Sequence, residues 1–299
     1  MSETRVTRLF IDRFTVLDVA VLDATHGFRG ESYFVSAVLE GEVDAHGFIF
    51  DFGAAKRVLK ELVDTRMDHR LLVPRGLGAL RTDGARTQLV LRDATPLALS
   101  YDAPNEAFVA LELDDGAPPK LAQELERWAA PLLPANVRRL SLVLEPDPDA
   151  QQRATFRYTH GLKHHDGNCQ RLLHGHHGSV EVRRDATAEP ALELALVDAF
   201  RDAHFASHED VDPETLRVLG LGRRDLHATG AARLAYRSAQ GDYAATLPRS
   251  RLIVLDGPPS IESIARLAHH LATRASPPGS DIEVRVWEGL HKGASVATR

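Results

Sequence analysis

The sequence predicts an α+β protein built from two tandem copies of one unit. Residues 84–128 and 230–271 share one order of features, from an opening Gly-Ala to an apolar-periodic helix. Each copy then continues into a strand that ends on a glutamate, Glu145 in the first and Glu288 in the second. Matched points lie roughly 140 residues apart, about the length of one domain.

The first copy opens with two alternating stretches, RLFIDRFTVLDVAVLD and GESYFVSAVLEG, whose period of two is typical of neighbouring strands. A helix is expected next in DFGAAKRVLKELVDTR, with Asp51 as its N-cap. Its expected apolar side is Phe52, Val58, Leu59, Leu62 and Val63. A strand-rich insert follows, then a second helix marked by Leu121, Leu125 and Trp128, and the strand LSLVLE.

The second copy repeats this order. ATFRYTHGL and LHGHHGSVEV are the expected strand pair, ALELALVDAFRDAH is the first helix, and IEVRVWE is the closing strand. The second helix is marked by Ile261, Ile264 and Leu271. The Pro- and Asp-rich join EPDPDAQQ, residues 145–152, is typical of a boundary. We therefore expect units at residues 1–148 and 149–299, each with antiparallel hairpins and two helices.

Composition narrows the class of function. The chain of 299 residues has a net charge of −6 and no Lys/Arg-rich block, so a nucleic-acid surface is not indicated. No apolar run approaches the roughly 20 residues that span a bilayer, so no membrane association is expected. The opening MSETRVTRLF lacks the layout of a signal peptide. With a single cysteine and hence no internal disulfide, the sequence favours a cytoplasmic protein.

Histidines concentrate between His160 and His177, and this cluster is the first candidate site. His174 and His176 flank a glycine on one expected strand, so their imidazoles should project from the same face. A hairpin can bring His160, on the preceding strand, across from this pair. Three imidazoles with a vacant fourth position describe a catalytic zinc site. Surface histidines or a metal-free hydrogen-bond cluster are the alternatives.

Three further features carry candidate chemistry. Cys169, in the turn-like DGNCQ, is a base or nucleophile if a cation lies nearby, and otherwise a small buried hydrophobic residue. Asp68 beside His69 supports proton transfer, although the pair also fits a solvated helix end. Glu288, at a strand end, and Glu262 are candidates for accepting paired N–H donors of a heterocycle. Negative charge in a first helical turn is favourable in itself, which gives Glu262 a structural reason as well.

As a set, these motifs resemble the 6-pyruvoyl-tetrahydropterin synthase / 6-carboxytetrahydropterin synthase family, which has the tunnelling fold (T-fold). The resemblance rests on His160, Cys169 and the HGH of residues 174–176, with GFIFDFGAAK, MDHR, PSIESIA and EGLHKG. It spans nearly the whole chain over both copies. It implies two tandem T-fold units, each an antiparallel four-stranded sheet with two helices on one face.

In this chain the motifs are divided between the copies. The first copy has the DFG and Asp-His motifs, but Arg29 and Glu31 stand where the HGH pair is expected, and Ala122 matches Glu262. The second copy has the histidine, thiol and glutamate motifs, but no convincing Asp-His pair. The family's active sites form where subunits meet. The resemblance therefore implies one complete site between a first-type and a second-type unit, within one chain or across two.

The resemblance implies a zinc-dependent lyase that acts on a dihydropterin, 7,8-dihydroneopterin triphosphate. The expected product is 6-carboxytetrahydropterin, with loss of acetaldehyde, as in queuosine and related deazapurine synthesis. Triphosphate elimination of the 6-pyruvoyl-tetrahydropterin synthase type is the alternative. The implied site combines the zinc ligands His160, His174 and His176, the pterin anchors Glu288 and Glu262, and the proton-transfer groups Cys169, Asp68 and His69.

Two other classes of function stay open. A non-catalytic scaffold that binds zinc or a pterin is favoured by MDHRLLVP, which lacks the family's final Asn. Another T-fold enzyme, acting on a purine or a different pterin, is also compatible, but the HGH set favours the pterin synthases over metal-free tandem relatives such as urate oxidase. Oligomerisation into a barrel removes exposed sheet edges, so a homo-oligomer is expected, with three tandem chains if a six-unit assembly is preserved.

Overall fold

The computed structural model describes residues 6–91, 99–112 and 115–298. Part of the expected first insert, residues 92–98 and 113–114, lies outside this range. The strands are β1 Thr7–Asp23, β2 Gly27–Gly41, β3 Leu71–Pro74, β4 Gly78–Asp83, β5 Arg86–Leu91, β6 Ser100–Pro104, β7 Phe108–Leu111, β8 Val137–Glu145, β9 Ala154–His160, β10 His174–Arg184, β11 Thr187–Ala188, β12 Ala203–Ser207, β13 Ala231–Ser238, β14 Gly241–Pro248, β15 Leu252–Leu255, β16 Ile282–Trp287 and β17 Gly293–Ala297. The helices are α1 Phe52–Arg66, α2 Pro118–Ala129, α3 Pro190–Phe200, α4 Pro213–Leu219 and α5 Ile261–Arg274.

The chain forms two compact units whose segments alternate along the sequence. The first comprises the chain up to Leu17, Tyr33–Asp68 and Gly116–Pro148. The second comprises Asp18–Ser32, His69–Asp115 and the chain from Asp149 onward. Strands β1 and β2 run through both units. Two segments of the expected first copy thus belong to the second compact unit, and the division into copies at residues 148 and 149 stays a prediction.

In the first unit, β2 pairs antiparallel with β8, and α2 packs on β8 and on α1. Helix α1 begins where predicted, because the carboxylate of Asp51 accepts a hydrogen bond from the Ala54 amide at 2.9 Å. Its buried side chains are Ala55, Leu59, Leu62 and Val63. Phe52 was expected on this side, but it is 53% exposed, so that part of the prediction is wrong. The buried stripe starts one turn later.

The larger sheet of the second unit has the strand order β15-β12-β9-β10-β16-β17, and β11 pairs with β10. Neighbouring strands from β9 to β17 along this order are antiparallel, which confirms the expected four-stranded sheet in this copy. Helices α3 and α5 pack on it over a core that includes Phe156, Phe200, Phe205, Ile264 and Val284. Two short strands, β12 and β15, extend the β9 edge in parallel. Both are buried along their whole length, which is typical of parallel strands.

The second unit also contains a sheet that the sequence does not predict. The strand-rich inserts of the two copies join in one antiparallel sheet with the order β13-β14-β6-β5-β4. Strand β6 from the first copy pairs with β14 from the second, with Asp102 opposite Ala244. Tyr101, Tyr236 and Tyr243 share one hydrophobic core beneath it. Elsewhere in this unit, β3 extends β1 in parallel and β7 extends β3.

Among the helices of the described chain, each is too short or too polar to cross a bilayer.

Candidate active site

Three buried histidines meet where β9 faces β10. The antiparallel register places His160 opposite His174, and His176 follows two residues later on the same face. The ring centroids lie 4.5 Å apart for His160 and His174, 5.1 Å for His160 and His176, and 5.3 Å for His174 and His176. All three are fully buried. The structure thus brings together the three histidines that the sequence predicts as metal ligands.

Two of these rings are oriented by backbone oxygens. The Pro259 carbonyl accepts a hydrogen bond from Nδ1 of His160 at 2.6 Å, and the Arg171 carbonyl accepts one from Nδ1 of His174 at 2.9 Å. A carbonyl oxygen only accepts, so the proton of each neutral ring lies on Nδ1. Each Nε2 therefore keeps its lone pair. This is the arrangement in which histidine binds a metal.

The third ring, His176, is oriented by a carboxylate. Its Nδ1 lies 3.2 Å from Oδ1 of Asp18. Its Nε2 lies 3.1 Å from Nε2 of His160. Two lone pairs repel at this distance unless a cation or a proton lies between them. A tetrahedral zinc ion with Zn–N distances near 2.0–2.1 Å would hold two such nitrogens about 3.3 Å apart, so the observed spacing fits a bound ion.

The donor atoms of the site form overlapping sets. Within the described chain, atoms all within 4.8 Å of one another occur in the set His69, His174 and His176 and in the set His160, His176 and Glu288. The buried Nε2 of His174 has no hydrogen-bond partner among the described residues. Imidazole and carboxylate donors of this kind suit zinc. The particular ligand set stays a prediction.

Burial keeps the imidazoles of His160 and His174 neutral. It lowers the pKa of His160 to about 4, with a further lowering by His176 and an opposing effect of Glu288. Burial also lowers the pKa of His174 well below its ordinary value, helped by His160 and His69. Neutral imidazole is the form that binds a metal, so the protons do not compete with an ion near neutral pH.

Glu288, the predicted pterin anchor, directly follows β16 and faces the histidines. Its Oε1 lies 3.7 Å from Nε2 of His160 and 4.0 Å from Nε2 of His176, and its Oε2 lies 3.5 Å from Nζ of Lys292. Burial raises the pKa of Glu288, but His176, His160 and Lys292 together outweigh burial and lower it. The carboxylate is therefore ionised at neutral pH and suited to accept N–H donors.

His69 reaches the same cluster from the first copy. Its ring centroid lies 4.9 Å from that of His174 and 6.0 Å from that of His176. The backbone of His69 is left-handed, with φ 55°, and its amide donates a hydrogen bond to the Asp18 carbonyl at 2.7 Å. A non-glycine residue in this conformation carries strain, which often accompanies a functional position. Residues of both copies thus meet within one chain.

Asp68, the other member of the expected dyad, belongs to the first compact unit. Its amide donates a hydrogen bond to the Val63 carbonyl at 3.0 Å, just beyond the end of α1. Glu262 is exposed in the first turn of α5, where its charge is favourable in any case. The proposed parts of Asp68 in proton transfer and of Glu262 in pterin binding stay predictions.

Cys169 is half-buried in a 3-10 turn formed by Asn168–Gln170. The hydroxyl of Tyr236 donates a hydrogen bond to the Gln170 carbonyl at 2.6 Å and fixes this turn. Burial alone would lower the pKa of Lys292, but nearby carboxylates and, to a smaller extent, Cys169 outweigh burial and raise it. The thiol is partly exposed and lies near the ammonium of Lys292.

Asp18 is a residue of this site that the sequence analysis missed. It is 2% exposed, its Oδ1 accepts a hydrogen bond from the Ser32 hydroxyl, and its Oδ2 lies 3.3 Å from Nζ of Lys292. Burial raises the pKa of Asp18, but His176, Lys292 and His69 outweigh burial and hold it far below its usual range. A signal was present, since an acid inside the apolar stretch TVLDVAVLD needs a buried partner.

A cleft of about 550 Å³, open to solvent, lies beside the histidine cluster. Its lining includes Gly161, which follows His160 in sequence, and Pro259, whose carbonyl accepts the hydrogen bond from His160. Ser207 and Asp210 also line it. The buried hydroxyl of Ser207 has no hydrogen-bond partner within the described part of the chain. Apolar walls with a few polar groups are typical of a pocket for a small heterocycle.

The positions in the first copy that match HGH hold an ion-pair cluster instead. Glu31 is 3% exposed, and its Oε1 lies 2.9 Å from Nε of Arg157 and 3.0 Å from Nη2 of Arg29. Burial raises the pKa of Glu31 although both guanidinium groups oppose this. Charged side chains with fixed partners occupy the place of the metal ligands, as the sequence indicates.

A backbone motif is repeated at the matching turns of the two copies. Asp202 has φ 54°, like His69 with 55°, and both amides donate a 2.7 Å hydrogen bond to a strand carbonyl. The acceptor is Arg157 for Asp202 and Asp18 for His69. The second copy therefore keeps the turn but has a carboxylate where the first copy has an imidazole.

A family model described as 6-pyruvoyl tetrahydropterin synthase matches residues 23–82 and 150–299. No curated protein sequence matches the chain. Similar solved structures include a catalytic-residue mutant of Plasmodium vivax 6-pyruvoyltetrahydropterin synthase, at 15% identity over 48% of this chain and 94% of that chain, with a TM-score of 0.38. Plasmodium falciparum 6-pyruvoyl tetrahydropterin synthase gives 16% identity over 47% and 98% of the two chains, with a TM-score of 0.35.

Proposed function

Because the chain belongs to the 6-pyruvoyl tetrahydropterin synthase family, we propose that it is a zinc-dependent pterin synthase and thus a lyase. The proposed reaction resembles that of 6-carboxytetrahydropterin synthase, in which 7,8-dihydroneopterin triphosphate and water give 6-carboxytetrahydropterin, acetaldehyde and triphosphate. The product would enter queuosine or related deazapurine synthesis. The single cysteine agrees with a cytoplasmic location.

The convergence of His160, His174 and His176 is the observation that carries this proposal. All three rings are buried, and an oxygen lies within 3.2 Å of Nδ1 in each. Each of the two donor sets, His69 with His174 and His176, and His160 with His176 and Glu288, contains two of these three histidines. Bound zinc would polarise oxygens of the substrate side chain and make a neighbouring proton more acidic.

Recognition of the pterin ring is assigned to Glu288. Its ionised carboxylate can accept two parallel N–H donors, which a pterin ring offers on its amino and amide nitrogens. Lys292, with Nζ 3.5 Å from Oε2, limits the movement of this carboxylate. Glu262 is proposed as a helper.

Proton transfer is assigned to groups contributed by both copies. Cys169 is proposed as the base that removes a proton. His69, with its ring centroid 4.9 Å from that of His174, would return or relay a proton on the other side of the ligand cluster. Asp68 would tune the imidazole of His69.

The direct test is incubation of zinc-loaded protein with 7,8-dihydroneopterin triphosphate, followed by product mass. Acetaldehyde with 6-carboxytetrahydropterin supports the proposal. Triphosphate release without carbon loss would instead identify a 6-pyruvoyl-tetrahydropterin synthase. Absence of turnover with zinc still bound would identify a scaffold protein and contradict the assignment. Cys169→Ala serves as the matched control, since it should keep the ion and lose turnover.

A homo-oligomer is part of the same proposal. The large sheet of the second unit ends at β15 and β17. Strand β15 is buried, whereas β17 is largely exposed, and exposed edge strands are commonly covered by another chain. Three tandem chains would close a barrel of six units, and analytical ultracentrifugation measures whether this trimer forms.

A further inference from the structure

Asp18 contacts two residues of the candidate site, one through its side chain and the other through its main chain. Its carboxylate Oδ1 lies 3.2 Å from Nδ1 of His176, a predicted metal ligand. Its carbonyl oxygen accepts the 2.7 Å hydrogen bond from the amide of His69, the predicted proton-transfer residue. A single residue of the first copy thus contacts one group from each half of the site.

The carboxylate of Asp18 is held in place from several sides. The Ser32 hydroxyl donates to Oδ1, and Nζ of Lys292 lies 3.3 Å from Oδ2. A Cβ atom on Gly289 would lie 2.8 Å from Oδ1 and 2.6 Å from Oγ of Ser32, so only glycine leaves room for this arrangement. With an exposure of 2%, Asp18 has little freedom to turn away from His176.

The chemistry of this contact differs from that of the other two rings. Nδ1 of His160 and of His174 is bound by a neutral carbonyl, whereas Nδ1 of His176 faces a charged carboxylate. A carboxylate behind a metal-binding imidazole fixes its tautomer and increases the basicity of Nε2. His176 also belongs to both sets of donor atoms in the described site.

We infer that Asp18 is a positioning residue that fixes the metal ligand His176 relative to the proton-transfer residue His69. The inference rests on the proposed metal-dependent function. Within the described chain, Asp18 belongs to neither set of donor atoms. Its backbone carbonyl holds the turn that carries His69, and its carboxylate orients the ring of His176. The distance between these two histidines is thereby fixed.

The test is the zinc affinity of Asp18→Asn, measured by competition with a chromophoric chelator. Asparagine keeps the shape and the backbone carbonyl, so the turn at His69 stays in place and only the charge behind His176 is removed. Loss of such an outer partner weakens metal binding roughly 10- to 100-fold. The absorption spectrum of the Co²⁺-substituted protein should change as well. Unchanged affinity and an unchanged spectrum would overturn the inference.

A double variant separates positioning from charge balance. If Asp18 only balanced the ammonium of Lys292, then Asp18→Asn combined with Lys292→Met would recover the wild-type zinc affinity. If Asp18 orients His176, the double variant stays as weak as Asp18→Asn alone. Should Asp18→Asn fail to fold, Ser32→Ala removes the hydroxyl that holds Oδ1 and should weaken zinc binding several-fold.

Glu31→Gln is the matched control. It also removes a buried carboxylate of the first copy, but this carboxylate pairs with Arg157 and Arg29 and contacts no predicted ligand. Its zinc affinity should equal that of the wild type, and an equal loss in both variants would overturn a specific part for Asp18. A wild-type protein that binds no zinc would instead contradict the proposed function itself.

Discussion

The Cα atom of Gly30 lies 2.5 Å from the position that a Cβ atom on Gly175 would take. A Cβ atom on Gly30 would in turn lie 2.1 Å from the Tyr158 carbonyl oxygen and 2.5 Å from the His176 amide nitrogen. The two glycines are the matching centres of RGE and HGH. The backbones of the two copies are therefore in contact at these two glycines. This close approach fixes the position of β10 and its histidines.

Gly30→Ala should lower the free energy of unfolding by about 3 kcal/mol or more, because the new methyl group meets backbone atoms that cannot move aside. Urea unfolding of the variant measures this. Gly53→Ala is the control: its Cβ would meet only a side-chain oxygen of Asp51, at 3.2 Å, and its stability should change by no more than about 1 kcal/mol. Equal effects of the two substitutions would contradict the close-approach argument.

The chain should bind one zinc ion, since the matching positions of the first copy hold an ion-pair cluster. His174→Ala should reduce the zinc content, measured by mass spectrometry, to less than about a tenth of an ion per chain, because three donors are needed to hold an ion in a site of this type. His177→Ala is the neighbouring control. His177 projects from the opposite face of β10, so its zinc content should match the wild type. Two ions per chain would show that the first copy also binds metal.

The catalytic groups should work within one chain, because His69 lies beside His174 in the same molecule. Cys169→Ala and His69→Ala should each lower kcat by at least about 100-fold, a size typical of a lost acid–base group. A mixture of the two variants, unfolded and refolded together, should stay inactive. Recovery of about a quarter of the wild-type rate would show that complete sites form between chains.

The metal-free protein should lose stability as the pH falls below about 6.5, and His204 should contribute to this. Burial, with a smaller effect of His160, lowers the pKa of His204 from 6.5 to about 3. Between these values the unfolded chain binds the extra proton, so this part of the stability is complete above pH 6.5 and is lost as the pH falls. The loss at pH 5 is about 2 kcal/mol.

His204→Leu checks this pH dependence, since Leu71 holds the matching position in the first copy. Urea unfolding at pH 8 and pH 5 should show a pH effect smaller by about 2 kcal/mol in this variant than in the wild type. The exposed His227→Leu should behave like the wild type. If the free energy of unfolding of His204→Leu changed with pH as much as that of the wild type, His204 would not contribute to the pH dependence.

The local features of the fold follow from local patterns. The period-two stretches correspond to β1, β2, β9 and β10. His174 and His176 lie on one face because residues two apart in a strand project from the same side. The N-cap at Asp51 is confirmed for the same reason: a cap is a contact between residues three apart. The clustering of His160, His174 and His176 is therefore predictable from the sequence, whereas their role as metal ligands stays a prediction.

Non-local features could not be predicted in this way. The pairing of β6 with β14 joins residues more than a hundred positions apart, and no periodicity specifies such a partner. The buried acid Asp18 was visible in the sequence, but its partners, Ser32 and Lys292, come from another strand and from the chain's far end. Residue type signals that a partner is needed, whereas the identity of the partner depends on topology.

The single sheet made by both inserts has a consequence for how this gene could have arisen and for how it can be cut. If residues 150–299 were produced alone, the backbone of Ala244–Thr246 would lose the neighbour that Ser100–Asp102 supplies. Such a fragment would have to recruit a foreign strand or a sister fragment to satisfy those amides. An ancestral half-length protein with the same insert would have had the same unpaired strand edge. Association of two identical chains would have covered this edge, and gene fusion would then have joined the two chains covalently.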